Sequence, residues 1–521
     1  MFRHHFFLSA KQWGSWFGVM MLGSCIFSGI AISDETLSAP SASPPSTVPV
    51  LPPLGQPLPA SDLAQLNAAA KAAVLQSPLR SSTVVDIHHV ALNTGLVSLI
   101  INSTPSMVPT LPFTVSANKP PINIVTTDLK QDKPDSVTWI GRVVGDSRSS
   151  VIFIVNRQTN LLSGEIRTGG IIYEVTPSKA IPGMPPPPNV IKIIAVDPRL
   201  FPKEHGPGGV RELHLESAPV VAETGVLPVI NVMVLYSPEA VTWLAAYNID
   251  IAAQVCIAID RLQEHFNDSG IQATANLVHY GQVEITENPN LETFLLNTLL
   301  IRGTSAGDPI YMWRNQYAAD IVSFWVSQGN NSCGQSYVLF PPDVNKESSA
   351  FSVVVAGCAT ENNSFVHEAG HLFGANHNRY AEFQINPNVM KNSNANFGYI
   401  RPDKSWKTVM AYDNDACPSQ PVTDITGQIH IINYCERLRY WSDPSQIYGG
   451  DSMGQPDTTT LGSNCTASLC QGPADNTGTL QSSLPTVSKF RPRSTDPAGT
   501  VGNTSCVMNT PPAAPTGLKV Q

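Results

Sequence analysis

The sequence is poor in charge, and its cationic residues are scattered. Charged residues make up 14% of the 521 residues, against roughly a quarter in an average soluble protein. The 31 lysines and arginines are outnumbered by 40 acidic residues, and no cluster of five or more Lys or Arg occurs. The chain lacks a basic stretch that would attract a phosphate backbone, so nucleic acid is not expected as a partner.

Long apolar runs are also missing after the first 33 residues. That first segment carries Arg3 and Lys11 and then an uncharged stretch at 12–33. This order is typical of a secretory signal peptide and predicts a secreted protein. Two alternatives stay open: an uncleaved membrane anchor of about 20 residues, and a lipoprotein signal, which Leu22 to Cys25 weakly resembles. In either alternative the protein is held outside the membrane by this segment alone.

Cysteine is absent from residues 34–255 and occurs eight times after them. An even number of cysteines in an exported chain indicates disulfides rather than free thiols. Eight cysteines allow 105 pairings, so the count does not fix the connectivity. Proximity along the chain favours Cys417 with Cys435 and Cys465 with Cys470. The other four are Cys256, Cys333, Cys358 and Cys506.

Composition divides the chain into segments. Residues 34–83 predict a Pro-rich spacer with a short helix at 61–76, since such tracts bury too little apolar surface to fold alone. Residues 84–201 alternate short Val/Ile-rich runs with turn residues, which predicts a small, mostly β domain. Residues 202–227 predict a protease-accessible linker. Residues 494–521 predict a flexible tail that resembles the opening strand of a fibronectin type III module.

From residue 228 to residue 493 strands and helices alternate, which predicts an α/β layer structure. Asp308 and Pro309 have the residue types of a helix N-cap and first helical position. The main expected elements are a buried strand at Val229–Tyr236, a helix from about Ile251 to Phe266, a strand around Ala275–His279 and an apolar run at Ile321–Val326.

A group of histidines carries the chemistry. Residues 365–379 read F-V-H-E-A-G-H-L-F-G-A-N-H-N-R. On a helix, His367 and His371 project from one face, so both imidazoles can bind one ion. Gly374 can adopt the positive φ that ends a helix, after which the chain turns back to bring His377 to the same ion. Three nitrogen ligands leave the fourth tetrahedral position of zinc for water, which is typical of a catalytic site.

Glu368 lies beside these histidines, with a side chain long enough to reach a metal-bound water without binding the metal. A structural zinc site is one alternative, but such sites usually recruit cysteine and fill all four positions. A pseudo-enzyme that has kept the metal site is another, and the presence of Glu368 argues against it. Three further histidines without a partnering motif are expected to be structural: His265 and His279 on predicted core elements, and His430 in a loop.

The pattern H-E-x-x-H-x-x-G-x-x-H at 367–377 resembles the signature of the metzincin zinc metallopeptidases at every fixed position. That family also has a methionine turn beneath its metal. The segment T-V-M-A-Y at 408–412 resembles this turn, with Met410 as an adaptable floor under the histidines. The resemblance implies an α/β (α+β) catalytic domain with a twisted mixed sheet, a zinc-binding helix and a Met-turn, preceded by a mostly β propeptide.

Within the metzincins the likeness is greatest to the reprolysin-like group, especially to the bacterial peptidyl-Asp metalloendopeptidases. It covers about Val229 to Pro492, through Y-A-A-D-I-V, C-G-Q-S-Y, R-Y-W-S-D-P and S-K-F-R-P. The segment Val137 to Tyr173, with W-I-G-R-V-V-G-D, resembles the propeptide of the same group. Two departures stand out: many reprolysins have Asp where this chain has Asn378, and the region of Cys465 and Cys470 resembles an inserted loop.

The resemblance implies a secreted zinc endopeptidase that acts on proteins or peptides. Zinc would acidify a water, and Glu368 would accept its proton and pass it to the leaving amine. Tyr412 is a candidate for holding the oxyanion. Calcium is a further candidate ion. Two non-hydrolase alternatives stay open: an inactive metzincin-like binding or adhesive protein, and an inhibitor or immunity protein that carries zinc.

The relatives also imply cleavage next to Asp, which would need a cation in the cleft. The candidates are Arg379, Arg401 and Lys407. The resembling family bridges the region that leads to the zinc helix, which favours a disulfide between Cys333 and Cys358. That pairing would leave Cys256 and Cys506 either free or joined to each other.

The lack of cysteine in residues 34–255 excludes latency by a cysteine switch. The β-rich propeptide is expected instead to cover the cleft as the protein's own inhibitor. Its release would follow a cut in the 202–227 linker. For an enzyme that cuts before Asp, the nearest upstream self-cleavage bond is Val196–Asp197, because the linker contains no Asp.

Overall fold

The structure is a computed structural model. The predicted signal segment 1–33 and tail 494–521 lie outside the described residues, as do Pro185–Pro188 and Cys506. Of the predicted linker, only Pro202, Glu204 and Leu227 are described. The described residues are 52–116, 119–131, 133–179, 189–202, 204, 227–413, 417–462, 465–466 and 469–492.

Nine antiparallel strands form the N-terminal sheet, in the order β1-β2-β9-β8-β7-β6-β5-β4-β3. The Leu54 N–H donates to the Pro112 carbonyl at 2.7 Å, so a hydrogen bond connects the two ends of the sheet. The strands are β1 Gly55–Gln56, β2 Val84–Leu92, β3 Leu111–Phe113, β4 Ile122–Lys130, β5 Ser136–Val143, β6 Ser150–Asn156, β7 Leu162–Thr168, β8 Ile171–Pro177 and β9 Val190–Val196.

The sequence predicted that the N-terminal β unit starts at residue 84. In the structure the unit begins further upstream. Gly55 pairs with Leu92, so part of the predicted spacer is a strand of the sheet. The helix expected at 61–76 is Ala60–Val74, and its last residue is buried in the core. Sequence composition missed this because the segment is ordered by pairing with distant residues rather than by its own propensity. Its helices are α1 Ala60–Val74, α2 Pro78–Thr83 and α3 Thr94–Ile101.

A second, five-stranded sheet organises residues 229–355. Its order is β11-β10-β12-β14-β13, with β13 antiparallel to its neighbour and the other pairs parallel. The predicted mixed sheet is therefore present, and the buried strand expected at Val229–Tyr236 is β10. These strands are β10 Val229–Tyr236, β11 Thr274–Gln282, β12 Ile321–Val326, β13 Gly334–Ser336 and β14 Phe351–Val355.

Helices surround this sheet, and Asp308 caps one of them as predicted, by accepting the Ile310 N–H at 2.9 Å. Among the described residues no single helix is long and apolar enough to cross a membrane. One pair of helices bent by 96°, Pro238–Ala246 with Ile251–Asp268, would be long and apolar enough by length and composition alone. The helices are α4 Pro238–Ala246, α5 Ile251–Asp268, α6 Leu291–Phe294, a π-helical turn Leu295–Leu299, α7 Leu300–Thr304, α8 Pro309–Gln316, α9 Ser364–Leu372, α10 Arg379–Ile385 and α11 Asn476–Val487.

Short strand pairs and turns build the region around and after α9. Short 3-10 helices lie at Val344–Ser349 and Pro387–Lys391 in this region and at Pro105–Met107 and Pro198–Leu200 in the N-terminal unit. The paired strands are β15 Asn376–Asn378 with β16 Phe397–Gly398, β17 Trp406–Lys407 with β20 Glu436–Arg437, β18 Ser419–Thr423 with β19 Ile429–Asn433, β21 Asp443–Tyr448 with β22 Asp451–Met453, and β23 Cys465–Thr466 with β24 Leu469–Cys470.

The N-terminal sheet has two apolar faces because its strands alternate with period two. In β6, Val151 and Phe153 belong to the core of the N-terminal unit. Ile152 and Ile154 point the other way and join the core of the second unit. Helix α5 packs against β6 at this junction. One continuous apolar layer therefore connects the two units.

Buried ion pairs cross the same junction. Arg80 of α2 donates to Glu174 at 2.8 Å and to Glu361 at 2.9 Å. Glu174 lies on β8, and Glu361 lies three residues before α9. All three side chains are almost fully buried. The pairing of Arg80 therefore holds the N-terminal sheet next to the start of the histidine-bearing helix.

Three disulfides lie within the described residues, and all three were predicted: Cys333–Cys358, Cys417–Cys435 and Cys465–Cys470. Cys256 is also disulfide-bonded. The first bridge ties the edge strand β13 to the loop that precedes α9.

One expectation about processing needs correction. The Val196–Asp197 bond lies at the end of β9, where Val196 is 0% and Asp197 2% exposed, so a protease cannot reach it in this fold. Composition missed this because burial here depends on packing between the two units, which local sequence does not encode. Of the described linker residues, Glu204 is fully buried and Leu227 is 59% exposed, so the accessibility of the linker stays a prediction.

Candidate metal centre

Helix α9 carries the first two histidines of the centre. It follows Asn363, which adopts a left-handed backbone (φ 58°), and spans Ser364–Leu372. Gly374 has the predicted positive φ of +97°, which ends the helical run. The chain then turns into β15, Asn376–Asn378, whose central residue is His377. This local geometry returns the third histidine to the helix.

The three imidazoles converge on one point. The Nε2 atoms of His367, His371 and His377 lie 3.1, 3.1 and 3.2 Å from one another, and all three side chains are fully buried. Nitrogen ligands at zinc distances in a tetrahedron would be about 3.3 Å apart. The donor set therefore fits one zinc ion held by three nitrogens.

Each imidazole is oriented through its other nitrogen. The Nδ1 atoms of His367 and His371 face the backbone carbonyls of Val409 (3.1 Å) and Ala375 (2.8 Å). Nδ1 of His377 faces Glu382 Oε1 at 2.6 Å. These acceptors favour a proton on Nδ1 and direct the Nε2 lone pair to the centre. Burial lowers the pKa of His377 to about 3, which favours the neutral form that binds metal.

Glu368 is fully buried beside the histidines. The Ser336 hydroxyl of β13 donates to its carboxylate. Gly334 approaches so closely that a Cβ there would lie 2.4 Å from Glu368 Oε1. Burial raises the pKa of Glu368 well above its usual range, and the charge of Glu204 raises it further. The edge strand β13 therefore fixes this carboxylate.

The turn at Met410 lies against α9. A Cβ on Gly370 would lie 2.6 Å from the Met410 sulfur, so the small residue between the two helical histidines admits the methionine. Tyr412 follows, its ring 4.1 Å from that of His377 and 5.6 Å from that of His367. Asn378 accepts the Tyr412 N–H at 2.9 Å. The asparagine at this position thus supplies an acceptor that helps to hold the turn.

Comparison with known proteins places this arrangement in a family. Residues 229–424 match the model of the reprolysin-like metallo-peptidase family M12. Residues 229–424 are therefore similar to a reprolysin-like metzincin domain, and the α/β region at 228–492 is called the metzincin domain after this similarity. Family membership implies a zinc ion, and the three histidines are the donor set that fits it.

Curated relatives of this metzincin are peptidyl-Asp metalloendopeptidases. The protein of that name from Xanthomonas campestris pv. campestris is 29% identical over 60% of this chain and 66% of its own length, just under two thirds. The one from Stenotrophomonas maltophilia strain K279a is 27% identical over 66% of this chain and 72% of its own length. Among solved structures, metalloproteinase-II from Bacteroides fragilis is 13% identical, covering 57% of this chain and 87% of that chain with a TM-score of 0.32.

The prediction that Arg379 and Arg401 bind an acidic side chain of the substrate needs correction. Arg379 of the metzincin domain is buried, and its guanidinium donates to the carbonyls of Pro473, Asn392 and Asn394. Arg401 pairs with Asp403 and Asp451. Both arginines therefore stabilise loops. Sequence spacing could not show this, because their acceptors lie up to 94 residues away.

Lys407, the third candidate, borders a cavity of about 220 Å³ between the N-terminal sheet and the metzincin domain. It pairs with Asp413, and burial lowers its pKa to about 8. The cavity wall also includes Tyr412 and Arg437. Arg437 was missed by sequence analysis, because no motif or spacing connects it to the histidines.

The histidines expected to be structural have structural contacts. His265 is buried in α5 with Nδ1 on the Arg261 carbonyl at 2.7 Å. His279 stacks on Tyr317 at 4.1 Å. His430 lies on strand β19 rather than in a loop, and its Nε2 pairs with Asp424 at 2.8 Å. None of them belongs to a group of possible metal ligands among the described residues.

Proposed function

We propose that this protein is a secreted zinc-dependent endopeptidase that hydrolyses peptide bonds in proteins or peptides. The convergence of three buried Nε2 atoms next to the buried Glu368 carboxylate carries the proposal. Three nitrogen donors with a carboxylate beside them are what a catalytic zinc site needs, because the carboxylate can act as the base for a metal-bound water.

In the proposed reaction, zinc and the side chains of the protein have different roles. Bound zinc supplies Lewis acidity, which polarises a carbonyl and acidifies a water. Glu368 accepts the proton of the attacking water and transfers it to the amine that leaves. Ser336 holds the Glu368 carboxylate in place through its hydroxyl. The edge strand β13 offers backbone groups with which an extended substrate can pair.

Two further residues have supporting roles in this proposal. Met410 forms the floor of the centre, packed against Gly370 of α9. Tyr412 stabilises the oxyanion of the tetrahedral intermediate with its hydroxyl. The contact of its ring with His377 keeps the tyrosine beside the metal.

The proposal extends to the zymogen. Residues 1–33 act as a signal peptide, and the N-terminal sheet acts as a propeptide and inhibitor of the peptidase. The buried ion pairs of Arg80 and the shared apolar layer support the second role, because they hold the sheet next to α9. Cleavage next to Asp is proposed from the names of the relatives. Calcium stays an untested expectation.

Metal analysis of purified full-length protein tests the proposal first. We expect one zinc per chain, lost in His371→Ala and retained in His430→Ala, a histidine outside the centre. We also expect digestion of an unstructured protein after the N-terminal segment has been cut away, abolished by a chelator and restored by zinc. Zinc at full occupancy without any cleavage would favour an inactive binding or adhesive protein instead.

A further inference from the structure

Glu204, from the segment that joins the two units, contacts the metzincin domain close to Glu368. Its carboxylate Oε1 accepts from Arg437 Nη1 at 2.8 Å and from Asn362 Nδ2 at 2.9 Å. The side chain is 0% exposed. Arg437 lies 233 residues further along the chain. The acidic side chain of Glu204 is thus bound by Arg437, a cation of the metzincin domain.

The backbone of Glu204 is held in the way a bound peptide would be. Its carbonyl accepts the Gly334 N–H at 2.8 Å. Gly334 begins β13, the edge strand of the five-stranded sheet, and edge strands bind extended peptides through their unpaired backbone groups. Gly334 also touches the Glu368 carboxylate. Glu204 therefore binds to Gly334, which lies directly beside Glu368, the proposed general base.

Arg437 is built into the metzincin domain rather than into the upstream segment. It lies on β20, which pairs with β17, and Nη1 also donates to the Asn362 carbonyl at 2.7 Å. Its guanidinium borders the 220 Å³ cavity that Tyr412 also borders. Without Glu204, this largely buried cation would require another carboxylate, because an unpaired buried charge is costly.

We propose that Arg437 selects acidic side chains in substrates and that Glu204 occupies its site as an intramolecular stand-in. The inference rests on the proposed peptidase function. It names Arg437 as the residue that determines which substrates the peptidase accepts. An Asp or Glu side chain of a substrate pairs with Arg437 as Glu204 does. An Asn or Gln side chain leaves the guanidinium unpaired, so selection follows from the cost of that unpaired charge. While Glu204 is bound, substrates are excluded.

Peptide binding without cleavage tests both parts. The full-length chain with Glu368→Ala is compared with Glu368→Ala combined with Glu204→Ala, using fluorescence anisotropy and a labelled hexapeptide that contains one Asp. Removal of Glu204 is expected to tighten binding at least tenfold. Equal binding by the two chains would contradict the stand-in role. Glu239→Ala in the same background, on the exposed side of α4, is the matched control and should change nothing.

The selection arm uses the same hexapeptide with Asn in place of Asp. In the chain lacking Glu204, the Asp peptide is expected to bind at least tenfold more tightly than the Asn peptide. Adding Arg437→Gln should reduce this ratio to within about twofold, whereas Arg437→Lys, which keeps the charge, should retain part of it. Circular dichroism checks that each variant is folded.

A full Asp preference in the Arg437→Gln chain, or no preference in its parent, would overturn the assignment. Arg401→Gln, which removes a partly buried arginine paired with Asp403 and Asp451, should leave the ratio unchanged. Because binding is read without cleavage, a protein that cuts nothing would contradict the proposed function while this test still decides on Arg437.

Discussion

At the scale of single residues, the metal centre depends on groups that do not touch the metal. Each histidine has an acceptor for Nδ1, and two of the three acceptors are backbone carbonyls that no substitution can remove. Only His377 depends on a side chain, that of Glu382. Mutation of Glu382 can therefore test how the orientation of the metal ligand His377 affects zinc binding.

Glu382→Ala is expected to weaken zinc binding about 10- to 100-fold, because partners of metal-bound histidines typically contribute that much. Competition with a chelating dye measures the affinity. Glu382→Gln keeps an oxygen that can accept from Nδ1 and should lose much less. Zinc affinity in Glu382→Ala equal to that of the wild type would contradict the proposed orientation.

Gly334→Ala tests how closely β13 approaches Glu368. An added Cβ would lie 2.4 Å from Oε1 and 2.9 Å from the carboxyl carbon, so the side chain must move. A displacement on the order of 1 Å in an active site costs roughly 100-fold in rate. We expect that loss in kcat/KM with unchanged zinc content, measured on a peptide substrate.

The matched control is Gly95→Ala in the N-terminal unit, where the nearest atom to the new Cβ is 3.4 Å away. Its activity should equal that of the wild type. Full activity in Gly334→Ala would show that Glu368 does not need its present position.

Residues close in sequence could be predicted, and residues that meet only in the fold could not. His367, His371 and Gly374 lie within two helical turns, so spacing alone places them. Glu382 and Ser336 contact the centre from a separate helix and strand, and no periodicity connects them to the histidines. Arg437 is the extreme case, since its role depends on a partner 233 residues upstream.

At the scale of elements, the edge strand β13 connects most of the site. It supplies Ser336 to Glu368, carries the N–H that binds Glu204, and begins just after Cys333 of the Cys333–Cys358 bridge. The long apolar strands β10 and β12 could be predicted from sequence because each is a continuous run of apolar residues. The three-residue β13 was not, since it is too short to show a pattern and is defined by its pairing.

Removal of the Cys333–Cys358 bridge is expected to lower the free energy of unfolding. The bridge closes a loop of 25 residues, for which chain entropy gives about 3.5 kcal/mol. The five-residue loop of Cys465–Cys470 gives about 2 kcal/mol. Urea denaturation of the two Cys→Ala pairs measures the difference. A larger loss for the Cys465–Cys470 pair would contradict this ordering.

At the scale of the whole molecule, the N-terminal sheet and the metzincin domain share an apolar layer and buried ion pairs. The sequence predicted both units, because each has its own pattern of strands. It did not predict which residues form their contact, since the isoleucines of β6 and β8 that face the metzincin domain look like ordinary core residues. The segment 55–83 was misjudged for the same reason: its order comes from distant partners.

Arg80→Ala is expected to destabilise the full-length protein by about 3–5 kcal/mol, because it leaves two buried carboxylates without their cation. Arg148→Ala is the matched control across the same junction. Its pair with Glu436 is 50% and 38% exposed, and exposed pairs contribute less than about 1 kcal/mol. Equal losses in urea denaturation would show that the Arg80 cluster does not hold the two units together.

Digestion of an unstructured protein by wild type and Glu368→Ala tests the central claim most directly. Both chains are first freed of the N-terminal segment by the same added protease, and each is assayed with and without a chelator. The account predicts chelator-sensitive cleavage by the wild type and a loss of at least 1,000-fold in Glu368→Ala, on the order expected for an essential catalytic group. Both proteins should contain one zinc. Equal, zinc-dependent cleavage by the two chains would contradict the account.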